Sequence, residues 1–414
     1  MEYNFENLLL LAGTNPLPNY VVAWYFLNIN KTLKGIYIIH SEQTLKQAKN
    51  LKELLRRKYP NKNFELIPVE DVSRADILEK NITTHLQSLQ GSSVHLNYTG
   101  GTKPMGIHIY RTIEKKFSQT SFSYLDARTF RIIDDEKGFV EGDLRGKVIM
   151  NLQDILELHG FEVKKDHSKN IFNSAVNIFK ELIEKNRLLD FYNVYDRKIF
   201  LTNEKSTEKK ETRLIKKKKA RLIKKKKEIT EALRKSKAEE PLLSIVLSLP
   251  EEKRIYDKEG NFIEPSSDQD LKETIEFLDG KWLEQYVYSI LSTARNLKYT
   301  EIKLECNVKK PEWNKDFEID LIILQGYQLI GISCTTENMQ RLCKTKGFEI
   351  YHRVRQIGGE EARAILITRL PCSQKDLVQE ELSIDTGGKE NILVLGEDDL
   401  KSESLIHKIQ NFIK

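Results

Sequence analysis

Two stretches of this chain hold residue types whose spacing could do chemistry. In Asn97-Tyr-Thr-Gly-Gly-Thr-Lys-Pro-Met105 a short apolar run, Val94 to Leu96, stops at paired glycines, and a helical pattern opens at Lys103. Glycines let backbone approach a ligand closely, the first amides of a helix lack partners within it, and the helix dipole favours negative charge there. Thr99, Thr102 and Lys103 add hydroxyls and a cation, so the expected ligand carries phosphate, although such a turn can also be purely structural. The spacing fits neither Gly-x-x-x-x-Gly-Lys-Ser/Thr nor Gly-x-Gly-x-x-Gly, which argues against an ordinary nucleoside triphosphate or dinucleotide site. The second stretch is Phe317-Glu-Ile-Asp-Leu-Ile-Ile-Leu324. A strand with period two puts Glu318 and Asp320 on one face, and clustered carboxylates suit Mg²⁺ or Mn²⁺.

The elements that must position the first stretch alternate strand and helix. Strands are expected at Asn7–Ala12, Gly35–His40, Phe64–Val69 and Val94–Asn97, with helices from about Tyr20, over Leu45–Lys58 and over Arg74–Gln90. A closing pair of strands follows at Thr120–Leu125 and Thr129–Asp134. This order predicts an α/β fold with a mostly parallel sheet and helices on both faces. Ligands of such sheets gather at the carboxyl ends of the strands, where the loops Gly13–Asn19, Ser41–Thr44 and Asn97–Lys103 meet.

Together with the loop Ala12-Gly-Thr-Asn-Pro16 and the turn Ser41-Glu-Gln-Thr44, the Thr-Gly-Gly-Thr-Lys block resembles the CRISPR-associated Rossmann fold, the CARF domain, over roughly residues 1–140. The resemblance implies a cyclic oligoadenylate, expected to be the tetra-adenylate, bound across a homodimer. By the same resemblance Gly13, Thr14, Asn15, Ser41, Thr44, Thr99, Gly100, Gly101, Thr102, Lys103 and Met105 would line the pocket. Asn15 and Thr44 could equally be a turn residue and a helix cap.

Residues 141–204 read as a helical connector. A Lys/Arg-rich insertion, 205–240, follows, with the tandem repeat Arg213-Leu-Ile-Lys-Lys-Lys-Lys-Ala220 and Arg221-Leu-Ile-Lys-Lys-Lys-Lys-Glu228. Sixteen Lys/Arg and four Glu fall between residues 205 and 237, so the net charge of +6 is produced by one segment and the remainder is acidic. Such a segment could grip nucleic-acid phosphates without regard to sequence, or be a solvated insertion.

From 268 to 414 the order helix, three strands, helix, strand resembles the PD-(D/E)xK nuclease core, a restriction-endonuclease-like α/β domain. The resemblance adds Glu284, from Gly280-Lys-Trp-Leu-Glu284, to Glu318 and Asp320 as metal ligands, with Asp320 the central one. Where that family carries Asp/Glu-x-Lys, this chain has Ser333-Cys334-Thr335. Lys346, Glu349, Arg353 and Gln356 form one polar face of the next helix, from which Lys346 could replace the lysine and Glu349 or Gln356 the missing ligand. Lys344 competes with Lys346, and His352 lies beside that stripe. The two halves together resemble the ancillary nucleases of type III CRISPR immunity. That implies a metal-dependent nuclease acting on DNA or RNA; the alternatives are a catalytically dead sensor and a protein that degrades its own activator.

With 39% hydrophobic and 31% charged residues, no apolar run near the ~20 residues of a membrane span and no signal-peptide layout, a cytoplasmic protein without membrane contact is expected. Cys306, Cys334, Cys343 and Cys372 contain no Cys-x-x-Cys pair and are expected to be reduced.

Overall fold

The computed structural model describes residues 3–164, 172–200, 228–312 and 316–414. Most of the basic repeat lies outside the described residues. In the N-terminal half the elements are β1 (Asn7–Leu11), α1 (Leu17–Ile29), β2 (Gly35–His40), α2 (Leu45–Lys58), β3 (Asn63–Pro68), α3 (Ala75–His85), β4 (Val94–Asn97), α4 (Lys103–Lys116), β5 (Thr120–Asp126), β6 (Arg131–Asp134) and β7 (Gly138–Phe139). They build one sheet in the order β3-β2-β1-β4-β5-β6-β7, parallel through β5 and antiparallel beyond it. Alternation in β1 decides which helices cover which face. Leu8 and Leu10 pack with residues of α1 and α2, whereas Leu9 and Leu11 pack with Ile82 of α3 and Ile109 and Ile113 of α4. Helix α1 starts three residues earlier than its apolar pattern suggests because Pro16 and Pro18 preset its first turn, where a missing N–H costs nothing.

The connector holds α5 (Leu152–Leu158), β8 (Glu162–Val163), α6 (Asn173–Glu184) and α7 (Leu188–Phe200). It is more than helical, since β8 pairs with the edge of the second sheet. A helix α8 through residues 228–234 precedes α9 (Leu242–Leu247), α10 (Asp268–Glu276) and α11 (Trp282–Thr293). Then come β9 (Glu301–Lys309), β10 (Asp316–Gln325), β11 (Gln328–Cys334), α12 (Gln340–Gly358), β12 (Arg363–Ile367), α13 (Cys372–Thr386), β13 (Ile392–Leu395) and α14 (Ser402–Ile413). The second sheet runs β13-β12-β11-β10-β9-β8, parallel from β13 to β11 and antiparallel from there.

One face of this sheet, with Ile322, Leu324 and Leu366, packs under α12 and α13 and is continuous with the core beneath α1 and α2. The other face, with Leu321, Ile323, Ile330 and Ile332, packs under α6, α7 and α11. Trp282 stacks on Phe179 at a ring separation of 4.1 Å, so the core that holds α11 reaches back to α6 and starts well before Asp268. Burying side chains of this size is worth about 2–3 kcal/mol each, which fixes α11 against the sheet. All four cysteines are free thiols, and among the described residues no helix is long and apolar enough to cross a membrane.

Candidate functional site

The loops at the carboxyl ends of β1, β2 and β4 come together as expected. Gly13 and the Gly100–Gly101 turn touch: a Cβ on Gly13 would sit 3.1 Å from the Gly101 amide nitrogen, and one on Gly100 would meet Leu11 O at 2.0 Å. Gly101 has φ +76°, which only glycine adopts readily. Thr102 caps α4 by accepting the Met105 N–H, and Lys103 stands exposed beside it.

Several other residues of this group are committed to the protein itself. The Thr99 hydroxyl donates to Asn97 Oδ1 (2.6 Å) and accepts the Leu125 N–H (2.7 Å). Ser41 and Thr44 are buried and bonded to each other. Met105 is core, its sulfur under Gly101. Asn15 departs furthest from a ligand role: its Oδ1 accepts the Leu17 N–H, and its Nδ2 donates to Glu361 Oε2 at 2.8 Å, across 346 residues. His159 Nε2 lies 3.2 Å from Asn15 Oδ1, and a Cβ on Gly359 would strike the Asn15 amide. The exposed groups left to face a ligand here are Thr14, Thr102 and Lys103, with the glycine backbone between them.

The second group converges at a fork in the other sheet. The β10–β11 pairing ends at Leu321↔Ile332, and there the Asp320 carboxylate turns across to accept the Cys334 N–H (2.6 Å) and the Ser333 hydroxyl (3.1 Å). Carboxylate oxygens of Glu284, Glu318 and Asp320 lie within 4.8 Å of one another. They line a cavity of about 210 Å³ with Ser333, Lys346, Glu349 and Arg353. Burial pushes Asp320 up to about 6, against the lowering pull of the Cys334 amide, Ser333 and Lys346. Burial and then the neighbouring Asp320 and Glu305 carboxylates push Glu284 well above the usual range. The Glu284 Oε2 atom is buried without a hydrogen-bond partner. A buried orphan oxygen beside two further carboxylates is a donor set that fits a hard divalent cation.

The polar face of α12 divides. Lys346 and Glu349 reach the cavity, with Glu349 bonded to Arg353 at 2.8 Å. Lys344 turns to Glu381 and Asp385 of α13, and Gln356 and His352 are exposed away from the cavity. Thr335 is buried and accepts the Glu337 N–H. Two residues were not anticipated. Lys281 is one turn ahead of Glu284, and Glu305 stands across from Asp320 in the β9–β10 register, between the pairs Ile319↔Cys306 and Leu321↔Leu304. The i,i+3 step to Glu284 was visible in the sequence, whereas the register was not. A larger cleft, about 1010 Å³, lies between α2 and β9, and its charges include the pairs Lys46–Glu312 and Arg57–Glu157.

Residues 8–138 match the family model described as the Card1 CARF domain. No curated protein matches the chain. Among solved structures, protein VC1899 from Vibrio cholerae aligns with a TM-score of 0.66 at 17% identity, over 99% of this chain and 98% of that one. Can2 from Sulfobacillus thermosulfidooxidans, solved in complex with cyclic tetra-adenylate, aligns with a TM-score of 0.63 at 14% identity over the full length of both. At these identities the likeness establishes the fold.

Proposed function

We propose that this chain is a cyclic-oligoadenylate-activated nuclease of type III CRISPR defence. It would act as a homodimer that binds cyclic tetra-adenylate between its N-terminal domains and cuts DNA or RNA in its C-terminal domains. The match of residues 8–138 to a CARF model supports the sensing half, as does the cyclic tetra-adenylate held by Can2. The observation that carries the nuclease half is the convergence of Glu284, Glu318 and Asp320 within 4.8 Å, from two elements of the chain.

In this reading Glu284, Glu318 and Asp320 would hold Mg²⁺ or Mn²⁺. When bound, such an ion supplies positive charge to a scissile phosphate and lowers the pKa of its water. The chain does the rest. The Cys334 amide and the Ser333 hydroxyl fix the Asp320 carboxylate in place. Lys346 presents an ammonium group to phosphate oxygens from α12, doing from a helix what Thr335 cannot do from the strand. The Arg353–Glu349 pair orients the far wall of the cavity.

A second reading is a sensor that does not cut, and a specific observation favours it: Ser333 spends its hydroxyl on Asp320, where an acidic ligand would otherwise stand. The two separate on incubating the purified protein with supercoiled plasmid, single-stranded DNA and RNA, with Mn²⁺ or Mg²⁺, with and without cyclic tetra-adenylate. Cleavage that needs both ligand and metal is the expected result. Tight ligand binding by calorimetry without cleavage moves the assignment to the sensor, and metal-independent loss of the cyclic ligand to a protein that degrades its activator.

A further inference from the structure

A further carboxylate and a cation stand beside the cluster. Glu305 of β9 is 7% exposed and lies opposite Asp320 of β10, with its Oε1 3.3 Å from Lys281 Nζ. Lys281 follows the kink at Gly280 where α10 gives way to α11, and stands one turn before Glu284. Glu305 has φ +50°, a left-handed conformation that a non-glycine residue keeps only where its surroundings enforce it. Burial works against the Lys281 ammonium, yet the carboxylates of Glu305, Glu284 and Glu318 outweigh it and hold the pKa above the ordinary lysine value.

We infer that Lys281 is the counter-ion of the Glu284–Glu318–Asp320 centre: tethered by Glu305, its ammonium partly neutralises the carboxylates in the free protein and opposes the divalent cation that binds there. The inference rests on reading that cluster as a divalent-ion centre. Lys281 and Lys346 then have different tasks. Lys346 lines the cavity from α12 and faces substrate. Lys281 is a positioning residue that acts through the carboxylates and sets the ion concentration at which the centre fills. Glu305 sets how closely the ammonium leans on Glu284 and Glu318. Repulsion between an ammonium and a divalent ion several Å apart, in a half-buried setting, is worth about tenfold in affinity.

The test is Mn²⁺ binding by calorimetry to the full chain, without nucleic acid, for the parent, Lys281→Met, Glu305→Gln and the double variant, with folding checked by circular dichroism and melting. Methionine keeps the packing of the lysine stem and removes the charge. Lys281→Met is expected to bind Mn²⁺ about tenfold tighter than the parent. Glu305→Gln is expected to bind it more weakly, and to do so far less in the Lys281→Met background, because its effect passes through the ammonium. Parent-like affinity in a folded Lys281→Met, or an equal effect of Glu305→Gln in both backgrounds, overturns the role of Lys281. Should Lys281→Met fail to fold, Lys281→Gln takes its place, with the same expectation and the same overturning results. Absence of Mn²⁺ binding in the parent overturns the divalent-ion centre itself and this role with it, so the two failures are distinguishable.

Discussion

Replacing Asn15 by alanine tests whether the ligand-side loop is physically tied to the C-terminal half. The Asn15 Nδ2 to Glu361 Oε2 bond, 2.8 Å long, ends on a carboxylate that is only 6% exposed. A hydrogen bond to a charged group contributes about 1.5–3 kcal/mol, and its loss leaves Glu361 buried without that donor. The Leu17 N–H loses its acceptor too, worth about 1 kcal/mol at a helix start. Because the Asn15 amide fills the space over Gly359, alanine also leaves a gap there. A local loss of about 2 kcal/mol means opening about 30-fold more often, read by hydrogen exchange at residues 358–362 and 14–17. Glu361→Gln serves as the contrast: it keeps an acceptor for Asn15 and removes a carboxyl whose pKa burial raises, so protection should change by under about threefold. Equal protection in the parent and Asn15→Ala, or an equal loss in both variants, refutes the tie.

Three further outcomes are expected. Asp320→Asn should abolish Mn²⁺ binding by calorimetry while raising the melting temperature of the metal-free protein at pH 8. With the Asp320 pKa pushed up to about 6, the stability that its proton provides is full below about pH 4 and lost as pH rises through 6. Asparagine removes that loss, worth about 1–3 kcal/mol. Lys103→Ala should weaken cyclic tetra-adenylate binding about tenfold by calorimetry with no change in melting, since the side chain is exposed. Gly331→Val should destabilise by about 1–3 kcal/mol in thermal melts, because a Cβ there would lie 2.1 Å from Val354 Cγ1 and drive α12 off the sheet. By moving Lys346 it should also lower cleavage more than Mn²⁺ affinity.

What was legible in the sequence is what local periodicity encodes. Period two brought Glu318 and Asp320 to one face, and steps of three and four on α12 brought Lys346 and Glu349 to one cavity. The Gly100–Gly101 turn was legible because only glycine tolerates that approach to Leu11 and that φ. What was not legible depends on partners distant in the chain. Thr99 looks like a ligand hydroxyl until Leu125 is found to claim it, and Asn15 until Glu361 does. Lys344 and Lys346 are equivalent in composition, and only the place of α13, with Glu381 and Asp385, decides between them. Residues 172–195 read as a connector because an amphipathic helix does not announce which sheet it will cover; Phe179 is core because Trp282, Phe191 and Phe277 pack around it.

Helix α12 joins these separate observations. It has 19 residues and is about 28 Å long at 1.5 Å per residue. Lys346, near its start, lines the carboxylate cavity, while the Gly359–Glu361 turn at its end meets Asn15, two residues from Gly13 and so from the Gly100–Gly101 turn. Gly331 lets Val354 seat directly on β11, and Gly347 lets Leu382 of α13 close on the other side. A helix clamped this tightly moves as a rod rather than bending, since a packed core shifts between arrangements and does not deform continuously. A ligand that displaces the Gly13–Asn15 loop would therefore act on α12 at one end and on the position of Lys346 at the other. Such a ligand can shift that balance only by its difference in affinity for the two positions of the loop.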